Sequence, residues 1–360
     1  MRVSIIMPNL LQPDGSGPVL GGIERYARQL ISLMLAMGYE VDVHQFASYD
    51  WIRRVDQVEV YGYGMASWSQ TAALEAMHHN TQSVLYLSIM QVPIRYKPRS
   101  VIVAHGVWWD GPQVPPSYVQ RSLEQCRQAL DEAGHLVSCD YNFLNVMRAL
   151  YPAIADRITV IPNFVDLSDF SPPASREAGV RVLYPRRLDQ CRGADVFVQV
   201  VRTLLSEGYR DLTFHMAVDQ NHPERNRELA DMVQDLGDVL TVSSYPFDAM
   251  PEVYRSSQIV VIPSLYSEGT SLACLEAMAC GCAVVATDVG GLTNLIINGY
   301  NGILMPPRVP ELSLAVKYLI DHPRDRELLG KRAAATARAF DVRAWERRWS
   351  EVLHAAYPIN

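Results

Sequence analysis

No uninterrupted apolar run in this chain approaches the ~20 residues that span a bilayer, so the sequence predicts a soluble or at most peripheral protein. The opening Met1-Arg2-Val3-Ser4-Ile5-Ile6-Met7-Pro8 has a short apolar stretch stopped by proline. It lacks the long h-region and cleavage site of a signal peptide and reads as a first strand. Export is not expected; the expected location is the cytoplasm, with peripheral contact at the inner membrane face left open. Basic charge is not in excess either: 32 Lys and Arg stand against 39 Asp and Glu, a net charge of -7. That balance argues against a protein whose main partner is nucleic acid, which needs a basic face to neutralise phosphates. Cysteines are few and uneven, six at positions 126, 139, 191, 274, 280 and 282, so a disulfide framework is not expected and a reducing compartment is favoured. Cys280-Gly281-Cys282, with Cys274 upstream, has no companion His or Cys pair at ligand spacing, and no metal site is expected there. No G-x-G-x-x-G follows the first strand, which disfavours a nicotinamide dehydrogenase. Long repeats and low-complexity tracts are absent.

What is present is a two-domain α/β pattern. At 360 residues the chain exceeds one ordinary core, and 49% hydrophobic with 20% charged residues suits a soluble globular protein. Short apolar runs alternate with amphipathic segments: Val3 to Met7, then Ile23 to Met37 as helix, then Val41 to His44, Val84 to Ser88, Val101 to Ala104, Leu136 to Ser138 and Ile158 to Ile161. Such alternation predicts a parallel sheet covered on both faces. The Pro-, Asp- and Ser-rich stretch Pro162 to Pro173 marks a boundary. Beyond it the series restarts with Val180 to Tyr184, a helix from Ala194 to Glu207, Thr213 to Ala217, a helix around Asn226 to Asp235, Leu240 to Ser243, Ile259 to Ile262, a helix from Ser271 to Cys280, Ala283 to Thr287, and Leu304. The expectation is two doubly wound Rossmann-like units, residues 1–165 and 166–340, facing across a cleft, with a helix over about 341–360 packing back on the first. Ligands in open α/β sheets bind outside the carboxyl ends of the strands, which directs attention to that cleft.

The densest chemical signal is Ser267-Glu268-Gly269-Thr270-Ser271-Leu272-Ala273-Cys274-Leu275-Glu276. A strand, Ile259 to Ile262, exits into a short loop carrying Glu268, and a helix follows that Thr270 or Ser271 can cap. Amides from Gly269 to Leu272 at such a helix start favour an anion, and Gly269 lets a ligand approach the backbone closely. Glu276 lies about 12 Å beyond Glu268 if the rise is helical throughout. Two carboxylates so spaced suit a ligand with hydroxyls at both ends and phosphate between, as in a nucleotide sugar. Ordinary acids at a helix start are the competing explanation for the pair taken alone.

The pair does not stand alone. Glu268-(seven residues)-Glu276, followed by Ala277-Met278-Ala279-Cys280-Gly281-Cys282-Ala283-Val284-Val285-Ala286-Thr287 and Gly290-Gly291, resembles family 4 of the GT-B glycosyltransferases. Arg187-Leu188-(three residues)-Arg192-Gly193 is similar to the family's Arg-Leu-x3-Lys-Gly stretch, whose two cations hold the donor diphosphate; guanidinium donors match phosphate oxygens and stay charged. Gly21-Gly22-Ile23-Glu24-Arg25 resembles the N-terminal Gly-Gly loop, where glycines allow close backbone contact with the donor. His105, ending Val101-Ile102-Val103-Ala104, matches a family histidine near the donor sugar, and a strand-end histidine bonded to backbone is the plainer alternative. The chain also departs from the pattern. Arg186 replaces a usual glycine, Asn163-Phe164-Val165-Asp166 stands for Asn-Gly-Val-Asp, Ala283 replaces a common proline, and Asn294 stands where an acid often follows Gly-Gly-Leu.

The resemblance implies a retaining, metal-independent glycosyltransferase with no cofactor beyond its nucleotide-sugar co-substrate. Glu268, His105, Arg187 and Arg192 are its expected catalytic residues. Gly21, Gly22, Gly269, Thr270, Ser271, Leu272 and Glu276 are expected to bind the donor. It further implies front-face attack by an acceptor hydroxyl, assisted by the departing phosphate, in polysaccharide or cell-surface glycan synthesis. The acceptor is a glycan, a lipid-linked group or a small molecule, with loops Trp108 to Ser117 and Ser67 to Thr71 as its expected contacts. The alternatives are a nucleotide-sugar-binding protein without turnover and a nucleotide-sugar epimerase of the same architecture. Trp345 and Trp349, one turn apart, are expected in the core. The basic run Arg95-Tyr96-Lys97-Pro98-Arg99 is read as a solvated loop in preference to a membrane contact.

Overall fold

The computed structural model describes residues 1–19, 21–65, 69–91, 94–219 and 223–359. The chain divides into two compact units: Met1–His105, Val114–Pro162 and Arg343–Asn360 form the first, and Gly106–Gln113 with Asn163–Val342 form the second.

In the first unit the elements are β1 Arg2–Ile6, α1 Gly22–Ala36, β2 Glu40–Ala47, β3 Trp51–Val55, β4 Val58–Gly64, α2 Gln70–His79, β5 Val84–Tyr86, β6 Val101–Ala104, α3 Pro116–Glu132, β7 His135–Ser138, α4 Tyr141–Leu150, α5 Pro152–Ala155 and β8 Ile158–Val160. Their sheet runs β3-β4-β2-β1-β5-β6-β7-β8. Val3, Ile5 and Ile6 of β1 and Val101, Ile102 and Val103 of β6 are buried, as expected for strands covered on both faces. The sheet departs from the all-parallel expectation at one edge, where β3 pairs antiparallel with β4. The hairpin turns through Asp56, at φ 53, without the Gly that advertises such a turn, and its exposed Ile52, Arg53 and Arg54 hide the strand among polar residues. The C-terminal helix Val342–Ala356 buries Trp345 and Trp349; Trp349 Nε1 donates to the Tyr26 hydroxyl on α1 at 2.8 Å, and Tyr357 beyond the helix donates to the Val84 carbonyl at 2.6 Å.

The second unit contains β9 Val180–Tyr184, α6 Ala194–Ser206, β10 Leu212–Ala217, α7 Pro223–Val233, β11 Leu240–Ser243, α8 Met250–Arg255, β12 Ile259–Ile262, α9 Leu272–Ala279, β13 Ala283–Thr287, β14 Ile303–Met305, α10 Val309–Asp321 and α11 Pro323–Ala337. The strands are parallel in the order β11-β10-β9-β12-β13-β14. Chain order reverses between β9 and β12, so loops leaving the carboxyl ends of these neighbours splay apart and leave a crevice. One face is packed by α6 and α10 through Phe197, Val201, Leu312 and Val316, the other by α9 and α11 through Leu275, Met278, Ala333 and Ala337. Each of the larger of these side chains, Phe197, Val201, Leu275, Met278, Leu312 and Val316, contributes ~1.5–3 kcal/mol of transfer free energy. The segment after Pro162 is held by a short parallel bridge between Val165 and Asp341, with Val165 N donating to Phe340 O at 2.9 Å and Val342 N to Val165 O at 3.0 Å.

Among the described residues no helix is long and apolar enough to cross a membrane. The run Arg95 to Arg99 is not a free basic strip: Tyr96 is buried with its hydroxyl accepting from Met90 N at 2.9 Å, and the Lys97 ammonium donates to the Thr81 carbonyl.

Candidate active site

The switch point of the second sheet is where charge collects. The loop leaving β9 carries Arg186, Arg187 and Arg192, and the loop leaving β12 carries Ser264 and Glu268. The two loops are stitched by backbone: Leu265 N donates to Cys191 O at 2.8 Å. Gly193, left-handed at φ 70, sits so close to the Pro263 carbonyl that a Cβ there would fall 2.1 Å from its oxygen. Glycine is thus required at the start of α6 twice over, by conformation and by space.

Glu268 is 5% exposed. Its Oε2 accepts from Arg186 Nη2 at 2.5 Å, from Ser264 Oγ at 2.6 Å and from Arg192 Nη1. Burial alone would raise this carboxyl, but the charges of Arg186 and then Arg192, with the Ser264 hydrogen bond, outweigh it and bring Glu268 down to about 2. It is therefore a permanent acceptor at neutral pH. It has no proton to give as a general acid, and two guanidiniums blunt it as a nucleophile.

Ser271 is the N-cap of α9, its Oγ accepting from Cys274 N at 3.4 Å and from Arg186 Nη1. Thr270, the other candidate cap, does different work: its Oγ1 accepts from Asn163 N at 2.8 Å and its carbonyl from Asn163 Nδ2 at 2.5 Å, so it anchors the segment that follows Pro162. Gly269, Thr270, Ser271 and Leu272 form one short run between Glu268 and the helix. Behind it lies the Gly290-Gly291 turn, with Gly291 N donating to Glu268 O at 2.8 Å. Glu276 is buried in α9, its Oε2 accepting from the Tyr254 hydroxyl at 2.8 Å. Arg187 points elsewhere: it is 40% exposed and pairs with Asp189 at 3.3 Å, leaving Arg186 in the contact with Glu268.

The remaining expected residues belong to the first unit. Gly21, buried, precedes α1 in extended conformation and Gly22 opens it. His105 directly follows β6, with its ring edge-on to Tyr26 of α1 at 5.0 Å. Its Nε2 lies 2.8 Å from the Leu87 carbonyl, which can only accept, so the hydrogen is assigned to Nε2 and Nδ1 faces the Cys139 thiol at 3.5 Å. Burial lowers His105 to about 4, so the ring is neutral at physiological pH. The backbone-bonded alternative weighed from sequence describes its contacts in this structure.

Two residues of this neighbourhood were not singled out from sequence, and a third, Arg186, was noted only as a departure. Ser264 follows a strand like any polar exit residue, and nothing in its spacing signals a bond to Glu268. Asp110, in the Gly106–Gln113 segment, accepts from Ser267 N at 2.9 Å, and Ser267 is one of few non-glycine residues at positive φ, 56°. Trp108 and Trp109 of that segment meet edge to face at 4.5 Å, with Trp109 buried. In the Ser67 to Thr71 loop, residues 67 and 68 lie outside the described residues. Among the described residues no cluster of three or more His, Cys, Asp or Glu side chains is placed to hold a metal.

Two family models match without overlap and together take in most of the chain: "Glycosyltransferase Family 4" over residues 20–169 and "Glycosyl transferases group 1" over residues 179–322. The chain belongs to glycosyltransferase family 4. Relatives include the D-inositol 3-phosphate glycosyltransferases of Paenarthrobacter aurescens, 33% identical over 63% of this chain and 58% of the relative, and of Kribbella flavida, 30% identical over 61% and 55%. The chain thus spans a little over half the length of the curated relatives it matches. Solved structures of the same GT-B fold include sucrose-phosphate synthase from Thermosynechococcus elongatus, with a TM-score of 0.77, 20% identity and 99% of each chain covered. Anabaena HepE in complex with UDP-glucose has a TM-score of 0.75 at 17% identity, covering 99% of this chain and 100% of that one. These family 4 and GT-B assignments agree with the resemblance read from the motifs.

Proposed function

We propose that this protein transfers a sugar from a nucleotide-activated donor to an acceptor hydroxyl with retention of anomeric configuration. The observation that carries the reading is Glu268, buried, ionised and gripped by guanidiniums at the switch point of the second sheet. A carboxylate kept in that state accepts hydrogen bonds from sugar hydroxyls and orients the donor without forming a lasting covalent bond. Arg187 and Arg192, with the amides around Gly269 to Leu272, stabilise the nucleoside diphosphate as it leaves. Their positive charge takes the part a divalent cation plays elsewhere. Glu276 receives the ribose hydroxyls after Tyr254 gives way. Gly21, Gly22 and His105 are assigned to donor contact on the family resemblance, His105 as a neutral hydrogen-bonding ring.

Family membership supports donor class and stereochemistry, and the HepE complex with UDP-glucose makes a UDP-sugar the first donor to test. The relatives' names make D-inositol 3-phosphate the first small acceptor to test, beside glycan and lipid-linked acceptors. Purified protein is assayed for release of UDP or GDP from UDP-glucose, UDP-galactose, UDP-N-acetylglucosamine and GDP-mannose, with and without acceptor and with EDTA present. Turnover of one donor that survives chelation, giving a product of retained configuration, is expected. Binding without release favours the non-catalytic alternative, conversion of one nucleotide sugar to another favours the epimerase, and the absence of both binding and release refutes the proposal.

A further inference from the structure

We propose that Arg186 is a positioning residue that turns Glu268 into a one-sided acceptor and leaves the charge of Arg192 available to the donor diphosphate; this rests on the reading above that a nucleotide sugar is the substrate. The Arg186 side chain is only 7% exposed, although that of Arg187 beside it is 40% exposed. A guanidinium is buried only where its donors and charge are met. Arg186 meets both with a fork, Nη1 to the Ser271 hydroxyl and Nη2 to Glu268 Oε2.

The geometry on Glu268 is asymmetric. Arg186, Arg192 and Ser264 all donate to Oε2, and Oε1 takes none of these hydrogen bonds. Saturating one oxygen fixes the carboxylate plane and leaves the other as the acceptor for a sugar hydroxyl. Through Ser271, the same guanidinium ties that plane to the cap of α9, so the carboxylate and the helix start move as one piece.

The charge count gives the second half. Without Arg186, Glu268 and Arg192 would neutralise each other, and because Arg187 is paired with Asp189 the loop would offer a diphosphate little net positive charge. With Arg186 present, one carboxylate sits between two guanidiniums and the cluster keeps a net positive charge. Arg186, the more buried of the two, carries the permanent pair, and Arg192 can turn toward phosphate. Ionic pairing of this kind is worth roughly tenfold or more in affinity where the groups are shielded from water.

The test compares Arg186→Gly, Arg186→Gln and Arg186→Lys with the wild-type protein, using UDP or GDP, whichever the wild type binds, in calorimetry, and hydrolysis of the panel donor it turns over. Gly and Gln are expected to weaken nucleoside diphosphate binding about tenfold and to lower kcat, because Glu268 and the diphosphate lose a cation. Lys, which keeps the charge with the least disturbance to folding, is expected to bind the diphosphate within about threefold of wild type while kcat falls, because one ammonium cannot fork to Ser271 and Glu268. A purely structural role would lower the melting temperature of Gln and Lys without separating the two in diphosphate affinity. The proposal is overturned if Gln matches the wild type in both measurements, or if Lys loses as much diphosphate affinity as Gln. Should Gly and Gln fail to fold, a tenfold loss in Lys decides against it and retention within threefold decides for it. A wild-type protein that binds no donor and no nucleoside diphosphate removes the parent reading as well, which is a separate result from an active wild type with indifferent Arg186 variants.

Discussion

Gly291 and Thr270 are distant in sequence but meet backbone to backbone: a Cβ on Gly291 would fall 2.5 Å from the Thr270 amide nitrogen and 2.3 Å from the Gly269 carbonyl carbon. Gly290 is held as closely, 2.1 Å from the Glu268 oxygen on the same terms, and is left-handed at φ 49. The glycine pair after β13 therefore acts as the wall against which the Glu268 loop is laid.

Gly291→Ala is expected to push that loop outward. The clash is with backbone, which cannot rotate away, so destabilisation of about 1–3 kcal/mol is expected. Donor KM should rise with it, since the amides from Gly269 to Leu272 move. Thermal unfolding and donor kinetics on the same preparation check this; a variant with wild-type melting temperature and KM would refute it.

Acidification should expose the Glu268 cluster. Its folded carboxyl is depressed to about 2, below the ordinary glutamate value, so the stability it contributes is present above about pH 4.5 and is lost as pH falls toward 2. That depression corresponds to roughly 3 kcal/mol. Glu268→Gln should remove this pH dependence, lower stability at pH 7 because two buried guanidiniums lose their counter-charge, and reduce donor turnover at least a hundredfold. Denaturant unfolding from pH 7 to pH 3 makes the comparison.

His105 titrates in the same direction for a different reason. Its folded value, about 4, lies below the ordinary histidine value because burial penalises the imidazolium. Stability is then undiminished above about pH 6.5 and declines as protons bind the unfolded chain between that pH and about 4. His105→Gln should flatten this part of the stability profile. In the wild type the imidazole resonances should stay those of a neutral ring down to pH 5, and an NMR titration with a midpoint near 6.5 would contradict the assignment.

Asp110 holds the amide of Ser267 in a left-handed conformation next to Glu268. Asp110→Ala should cost about 1 kcal/mol and raise donor KM severalfold with kcat less affected, whereas Asp110→Asn, which keeps an acceptor oxygen, should restore most of the loss. Equal behaviour of the two variants in steady-state kinetics would show that the hydrogen bond to Ser267 is not what matters.

Much of this architecture was legible in the chain. The buried strands β6 and β12 are unbroken apolar runs, β1, β9 and β13 are interrupted only by Arg2, Ser4, Arg181 and Thr287, and the spacing from Glu268 to Glu276 with Gly290-Gly291 beyond it carried the family. The β3–β4 hairpin was not legible, because an edge strand facing solvent needs no apolar signature and Asp56 supplies the turn without glycine. Nor was the division of labour among the arginines, since Arg186 and Arg187 are equal as text.

By itself the sequence determined the alternation of strands and helices and the residue types that collect after β9 and β12, because hydrophobic periodicity and glycine placement are local properties. Only the tertiary structure decided which arginine is buried against Glu268, which hydroxyl caps α9 and which anchors Asn163, and that His105 is neutral. Each of those depends on where neighbouring loops cross and how much water they exclude. Burial and through-space charge are set by the packed fold, and no spacing along the chain encodes them.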